Sequence, residues 1–374
     1  MKHAGCYDVE GRFLGVPHTH QHTRPISGLL EYALIAENDE MIEFCRKSYE
    51  YAKTACGNDT IGFFPATPGP DATMENATIQ KVCRYPAEGC TVADMVALAI
   101  KLSAAGVGDY WDDADRYLRN HFAEMQMLRT DWIHRVPPEL PTEPWVRPEF
   151  ETADQAMERN LGACMSMATP NDFVGHPYYY DDRPPVDDLF LMHCCTGNYL
   201  RAIRYAWDNI LDYNDGKLRI NLLLNRASAW ADVASYLPYE GQVDVTMKER
   251  CSVSIRIPEW VQPAETTCLV GGQPRKLGWD GRYARIGDAN AGAAISLVFP
   301  ISERDTKVKS QYEPAAQLAG TTYTMTIKGN TVVRVDPSGQ YYPLYQRSHL
   351  RENRVRWVKR SRFVSSRPAP QWSY

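Results

Sequence analysis

The 374-residue sequence has no apolar run near the ~18 residues that a membrane-spanning helix requires, so we expect no membrane association. No apolar segment follows its charged start, so no secretory signal is visible. It also has no excess of positive charge, because 41 Lys and Arg stand against 46 Asp and Glu and give a formal net charge of −5. That balance offers no general attraction to nucleic acid. Aromatic surface, by contrast, is plentiful: 22 Tyr and 9 Trp suit stacking on sugars or packing in cores.

Ten cysteines are scattered along the chain without the spacing of a secreted disulfide framework. This usage favours a cytoplasmic protein whose thiols are reduced and mostly buried. Cys194 and Cys195 depart from that pattern, because adjacent thiols rarely pair with each other. Two neighbouring thiolates suit a soft metal ion better than a structural disulfide.

Helical periodicity dominates the first half of the chain. A capping box of Thr91 and Asp94 is expected to start the most regular of these helices. The apolar spacing predicts helices before and after residue 38 and over about 91–105, 111–127, 152–165 and 196–211.

After Asp215-Gly216 the period changes to two, which predicts strands around 218–222, 253–257, 295–301 and 323–327. Gly329-Asn330 is typical of a hairpin turn between the last of these and the next strand. We therefore expect a helical domain over 1–214 and a β-sandwich domain over 215–345. A basic tail over 346–374 is more typical of a solvated or packed arm than of a nucleic-acid-binding segment.

Two short motifs carry the chemistry. Glu88-Gly89-Cys90 precedes one predicted helix, and Cys194-Cys195 precedes another. A helix N-terminus offers unpaired N–H groups and a partial positive charge, which favour a thiolate. If the two helices are neighbours, one carboxylate and three sulfurs suit a tetrahedral Zn²⁺ ion. The spacing alone leaves a second interpretation open, in which these are ordinary buried cysteines.

These motifs resemble the β-L-arabinofuranosidases of glycoside hydrolase family 127. The resemblance extends from about residue 18 to residue 363, and its most specific parts are the E-x-C motif and the paired cysteines. The matching segments are 88–90, 94–98, 108–113, 158–162, 194–198, 255–260 and 342–347.

The resemblance implies an (α/α) barrel followed by β-sandwich domains, with a zinc ion held by one Glu and three Cys. Carried over to this sequence, the ligands are Glu88, Cys90, Cys194 and Cys195. The family's retaining mechanism uses a cysteine nucleophile, which matches Cys194. Its thiolate would attack the anomeric carbon and give a thioglycosyl intermediate that water then hydrolyses with a general acid/base.

The proton donor is where this sequence departs from the family. The family places a catalytic Glu some fifteen residues before the E-x-C glutamate, and Ala72 stands near that position here. Alanine cannot transfer a proton. Asp71 and Glu75 are the nearest substitutes, and we predict Glu75, although each is also typical of a solvated loop acid.

Sugar contacts are expected from histidines and tyrosines. The three histidines at 18, 20 and 22 alternate, and the resemblance implies that one of them binds sugar hydroxyls, with His20 preferred. A loop or helix-capping histidine is the alternative. His176 and Tyr179 are candidates for the pocket wall, although such clusters are more often part of a core.

Two functions remain from this reasoning. One is a zinc-containing glycoside hydrolase acting on β-L-arabinofuranosides or related plant-type sugars, in a small oligosaccharide or glycoside substrate. The other is a carbohydrate-binding or structural homologue that keeps zinc without hydrolysis. A thiol redox or metal-sensing protein has less support, since no C-x-x-C pattern is present. Family members are generally longer and begin with further helices, so we expect part of the barrel to be missing, in a truncated gene model, a fragment or a reduced member. The assembly is open, with a homodimer as one option.

Overall fold

A computed structural model describes residues 6–15, 18–66, 87–128, 147–152, 154–168, 193–309, 322–338 and 344–352. A helical region is followed by a region of mostly antiparallel sheets, which confirms the predicted order of helical and β structure. None of the helices in these ranges has the length and apolar character needed to cross a bilayer.

The helices follow the predicted periodicity in five of the six expected places. A π-helical turn, Leu118–Phe122, continues the fourth helix. The described ranges contain α1 Thr19–Ile35, α2 Asp39–Ala55, α3 Gly89–Ala104, α4 Trp111–Tyr117, α5 Ala156–Arg159 and α6 His193–Asn209.

The helix predicted over 152–165 is wrong. Only the four residues of α5 are helical there, and Gly162 then takes a positive φ of 87°, which ends the helical pattern. The chain continues in an extended conformation, with a bridge between Cys164 and Gln126. It then forms β2 (Met167–Ala168), which pairs with β1 (Ala87–Glu88) just before α3.

Helix α3 is the centre of the helical region, because 14 of its 16 residues are buried. Its apolar side chains belong to one core cluster with residues of α1, α2, α4 and α6, including Leu30, Tyr49, Tyr117 and Tyr199. A helix buried on nearly every side can hold polar residues only where partners satisfy them. The buried polar residues of α3 must therefore be hydrogen-bonded to neighbouring elements.

The described part of the β region contains three sheets, whose strand orders are β10-β9-β13-β7-β6-β5, β11-β12-β8-β4-β3 and β14-β15-β16. All pairings are antiparallel except that of β4 with β8. The strands are β3 Leu211–Asn214, β4 Lys217–Ile220, β5 Arg226–Ala227, β6 Ala231–Ser235, β7 Gln242–Met247, β8 Cys251–Arg256, β9 Thr267–Val270, β10 Gln273–Pro274, β11 Gly278–Asp280, β12 Tyr283–Ala289, β13 Ala294–Val298, β14 Glu303–Lys309, β15 Thr322–Lys328 and β16 Thr331–Asp336.

The first two sheets share one hydrophobic cluster, to which Val245 of the six-stranded sheet and Ile255 of the five-stranded sheet both contribute. The third sheet packs elsewhere: its Tyr323 and Met325 belong to the helical core cluster. The predicted hairpin turn at Gly329-Asn330 joins β15 and β16, as expected. One core therefore contains the helices together with the last sheet, and the other core contains only the first two sheets.

Buried polar contacts join the third sheet and the second sheet to α4. The Asn330 side chain donates hydrogen bonds to Asp112 Oδ1 and Asp115 Oδ2, both at 3.0 Å. The Arg256 guanidinium of β8 lies 2.6 Å from Asp112 Oδ2, and both side chains are almost fully buried. Beyond residue 352 the predicted basic tail lies outside the described residues.

Candidate metal centre

Both chemical motifs lie at helix N-termini, as the sequence predicts. Glu88 has an extended backbone and is the N-cap of α3, which begins at Gly89, so Cys90 is the second helical residue. His193 begins α6, so Cys194 and Cys195 lie in its first turn. The predicted Thr91–Asp94 capping box is wrong, because the N-cap is Glu88, three residues before Thr91, and Asp94 lies inside the helix.

The three cysteines of the motifs come together across 105 residues of sequence. Cys90 Sγ lies 3.2 Å from Cys195 Sγ, and Cys194 Sγ lies 3.9 Å from Cys195 Sγ. All three sulfurs lie within 4.8 Å of one another. Two sulfurs bonded at ~2.3 Å to one tetrahedral Zn²⁺ ion lie ~3.8 Å apart, so the observed spacing fits a shared ion.

The three cysteines differ in their exposure to solvent. Cys90 and Cys195 are buried, whereas Cys194 is exposed. A group of three thiols with one member open to solvent can hold an ion through its closed side and still present a sulfur to a solute. This is the arrangement that a nucleophilic ligand requires.

Glu88 stands beside the sulfurs but outside the group that lies within 4.8 Å. Its carboxylate is 3% exposed and accepts hydrogen bonds on Oε2 from His18 Nε2 at 2.8 Å and from Thr91 Oγ1 at 3.1 Å. Neither bond involves Oε1. The donor set of three thiols and a neighbouring carboxylate fits Zn²⁺ chemically, with His18 as a partner that orients the carboxylate.

The thiols do not ionise alike. The hydrogen bond from Cys90 lowers the pKa of Cys195 to about 7, against the opposing effect of burial. The same bond, together with burial, raises the pKa of Cys90. Burial and the neighbouring Cys195 raise the pKa of Cys194. Of the three sulfurs, Cys195 is therefore the one that loses its proton at the lowest pH when no ion is bound.

Close packing surrounds the sulfurs. Asn198 Nδ2 donates to Cys90 Sγ at 3.0 Å from the next turn of α6. A Cβ atom at Gly89 would lie 3.2 Å from Cys164 Sγ and 3.3 Å from Cys195 Cβ, so the middle residue of the E-x-C motif has little room for a side chain. Cys164 is thus a fourth thiol near the group, buried in the extended segment that replaces the predicted helix.

His20 lies on α1 and is partly exposed, with 20% of its side chain accessible. Its Nδ1 lies 2.7 Å from Oδ2 of Asp94, a fully buried carboxylate of α3. Burial alone would lower the pKa of His20, but the hydrogen bond and charge of Asp94, with smaller contributions from Glu88 and Cys195, raise it. The charges of Glu88 and Cys195 therefore act on the ring, with Asp94 as its direct partner. Its predicted contact with sugar stays a prediction.

Glu75, His176 and Tyr179 lie outside the described residues, so their roles stay predictions from the sequence. The sequence reasoning missed Asp94, Arg201 and Asn198. A helical projection could have indicated them, since Asp94 lies four residues after Cys90 on α3 and Arg201 lies seven residues after Cys194 on α6.

Comparisons with known proteins agree with the resemblance at the level of the fold. No protein-family profile matches the chain, and no curated protein matches it. Among solved structures, the fold is similar to a GH127 β-L-arabinofuranosidase from Geobacillus stearothermophilus T6, with 16% identity and a TM-score of 0.52 over 84% of this chain and 46% of that one. It is also similar to a structure described as a glycoside hydrolase, with 15% identity, a TM-score of 0.53 and coverage of 84% and 51%.

A third similar structure is a GH127 β-arabinofuranosidase, with 15% identity, a TM-score of 0.53, and coverage of 84% of this chain and 47% of that one. The chain thus spans about half the length of these structures. At this identity the likeness establishes a shared fold. The grouping of the three thiols is observed directly in this chain.

Proposed function

We propose that this chain is a glycoside hydrolase that cleaves β-L-arabinofuranoside-type bonds by a retaining mechanism. Cys194 is the nucleophile in this proposal, and Glu88, Cys90, Cys194 and Cys195 hold a Zn²⁺ ion. The observation that carries the proposal is the convergence of three sulfurs within 4.8 Å at two helix N-termini. The similarity of the fold to GH127 structures supports the reaction class.

The assignment of the nucleophile rests on exposure. Cys194 is the exposed sulfur of the three, while Cys90 and Cys195 are buried and can only serve the ion. A bound zinc ion would keep all three sulfurs ionised near neutral pH, which overcomes the raised pKa of Cys194. The thiolate would then displace the leaving group from the anomeric carbon, and water would release the sugar.

For the architecture, we propose that the helices form part of an (α/α) barrel over 1–214 and that the strands over 215–345 form a β-sandwich. The shared cluster of the six-stranded and five-stranded sheets supports the sandwich. The third sheet packs on the helical core, so in this proposal it joins the sandwich region to the barrel.

A small oligosaccharide or glycoside is the proposed substrate, with His20, His176 and Tyr179 as proposed contacts. We also propose a homodimer, which the mass of the purified protein in solution tests.

The test combines metal analysis with substrate turnover. We expect about one zinc per chain and release of p-nitrophenol from the β-L-arabinofuranoside in a panel of aryl furanosides and pyranosides. The anomeric configuration of the first product, followed by proton NMR, should be retained. Zinc without turnover of any glycoside would favour the non-hydrolytic carbohydrate-binding or structural homologue, and a metal-free, inactive protein would contradict both.

A further inference from the structure

A buried carboxylate connects three helices next to the sulfur group. Asp94 is fully buried on α3, four residues after Cys90. Its Oδ2 accepts hydrogen bonds from His20 Nδ1 at 2.7 Å and from Thr23 Oγ1 at 2.9 Å, both on α1. Its Oδ1 lies 2.6 Å from the guanidinium of Arg201 on α6. Every oxygen of this carboxylate is thus engaged by a side chain from a neighbouring helix.

The bond to Asp94 fixes the tautomer and the direction of the His20 ring. An ionised carboxylate only accepts hydrogen bonds, so Nδ1 of His20 must donate, and Nε2 is the nitrogen that can exchange a proton. The ring is partly exposed, and its centroid lies 6.0 Å from that of His18, whose own Nε2 binds Glu88. A carboxylate that orients a histidine in this way is the arrangement of a general acid/base pair.

Arg201 sets the charge of this pair. Its guanidinium lies 2.6 Å from Asp94 Oδ1 and offsets part of the negative charge that His20 meets. The charged and titratable groups around His20 are Asp94 and Glu88 on the α3 side, Cys195 and Arg201 on α6, and His18 on its own segment. Arg201 thus places one positive charge among the acidic neighbours of His20.

We propose that His20, oriented by Asp94, is the proton-transfer residue of the hydrolase, and that Asp94 and Arg201 are positioning residues. This inference rests on the proposed function. In the first step the Cys194 thiolate forms a C–S bond to the anomeric carbon, the C–O bond to the leaving group breaks, and His20 Nε2 gives its proton to the departing oxygen. In the second step neutral His20 takes a proton from water, the water oxygen bonds to the anomeric carbon, and the C–S bond breaks to return the thiolate.

The competing candidate is Glu75, which the sequence predicts. The two assignments differ in a measurable way, because loss of a general acid matters most for leaving groups that need protonation. We therefore compare phenyl and 2,4-dinitrophenyl β-L-arabinofuranosides with three variants, His20→Gln, Glu75→Gln and His22→Gln. His22 is the matched control: it is a histidine of the same helix that is buried and stacks on Phe13 at 4.6 Å.

For His20→Gln, we expect kcat/KM to fall by about 10²–10⁴-fold with the phenyl glycoside and far less with the dinitrophenyl glycoside. Azide should raise kcat for the dinitrophenyl substrate and yield the glycosyl azide, because azide attacks without base assistance. His22→Gln should keep the wild-type dependence on the leaving group. The proposal is overturned if His20→Gln also keeps that dependence, or if Glu75→Gln shows the leaving-group effect and azide rescue instead.

A second measurement does not depend on turnover. The pKa of the His20 imidazole, followed by NMR with His20→Gln to identify its signal, should be above its ordinary value in wild type. In Asp94→Asn it should fall, because burial then acts without the opposing carboxylate. An unchanged pKa in a folded Asp94→Asn variant contradicts the pairing.

These outcomes separate the inference from the proposed function. A wild-type chain without activity on the whole panel removes the hydrolase and the role of His20 together. A wild-type chain with activity that His20→Gln leaves intact removes only the role of His20.

Discussion

The helical region and the two-sheet region differ in the charges that they bury. Five carboxylates are buried in the described part of the helical region: Glu88, Asp94, Asp112, Asp113 and Asp115. The described strands and loops of the six- and five-stranded sheets bury one charged side chain, Arg256, and it pairs with the helical region. Burying a charge costs free energy unless partners satisfy it, so the described helical region needs more compensating partners in its interior than the two sheets do.

Four of the five carboxylates divide further by their partners. Asp112 and Asp115 bond to Asn330, and Asp112 also pairs with Arg256, so they join α4 to the β region. Glu88 bonds instead to His18, the N-cap of α1, and Asp94 bonds to His20 within that helix. One set of buried charges therefore connects parts of the molecule, and the other arranges side chains around the candidate site.

The largest expected effect is a loss of kcat when a cysteine of the helical region is replaced, compared with a cysteine of the two-sheet region. Cys194→Ser should lower kcat by about 10³-fold or more, because the nucleophile is replaced by a poorer one. Cys268→Ser, in β9 of the two-sheet region, should leave kcat per folded molecule unchanged. The measurement is aryl glycoside hydrolysis at matched folded concentration. Equal activities in the two variants would contradict the thiolate mechanism.

The next largest effect is on stability, at the ion pair that joins the helical region to the two-sheet region. Arg256→Met removes the partner of buried Asp112 and should lower the free energy of unfolding by about 3–5 kcal/mol. Its control is Arg250→Met, which breaks an exposed pair with Asp288 and should cost about 0–1 kcal/mol. Urea unfolding measures both. Similar losses in the two variants would mean that burial of the Arg256 pair does not matter to stability.

Two glycines next to the cysteines sharpen the comparison within the site. Gly89→Ala introduces a Cβ 3.1 Å from Met165 O and close to two cysteines, so we expect about 1–3 kcal/mol of destabilisation and weaker zinc binding. Gly197→Ala meets no atom within 4 Å and should be neutral or stabilising by up to about 1 kcal/mol. Thermal unfolding and competition for zinc with a chelator test the pair, and a well-tolerated Gly89→Ala with normal zinc affinity would be evidence against the tight packing.

The smallest expected effect is in the apolar core of the two sheets. Ile255→Val removes one methylene from a fully buried side chain and should cost about 0.5–1.5 kcal/mol, with hydrolysis unchanged. Chemical denaturation and the aryl glycoside assay check the two halves of this statement. A clear fall in kcat without loss of folded protein would show that the two-sheet region contributes directly to the chemistry.

Local patterns predicted most of the helices and strands. For the site, they predicted the two helix N-termini that carry the carboxylate and the cysteines. Asn38 caps α2, with its side chain accepting from Met41 N, and alternation located β4, β8, β13 and β15. The helix predicted over 152–165 failed because apolar spacing there also suits an extended segment packed on a core. Asp94 was mistaken for a capping residue, since a polar residue near a helix start is ordinarily explained by the nearest backbone N–H groups.

The sequence by itself determined that a carboxylate and three thiols begin two helices, because helix starts depend on neighbouring residues. It also determined the change from a period near 3.6 to a period of two after residue 215. Only the tertiary structure decided that Cys90 meets Cys194 and Cys195, and that Asp94 faces His20 and Arg201. These contacts join residues separated by 74 to 107 positions, where nothing in the local pattern specifies which helix faces pack together.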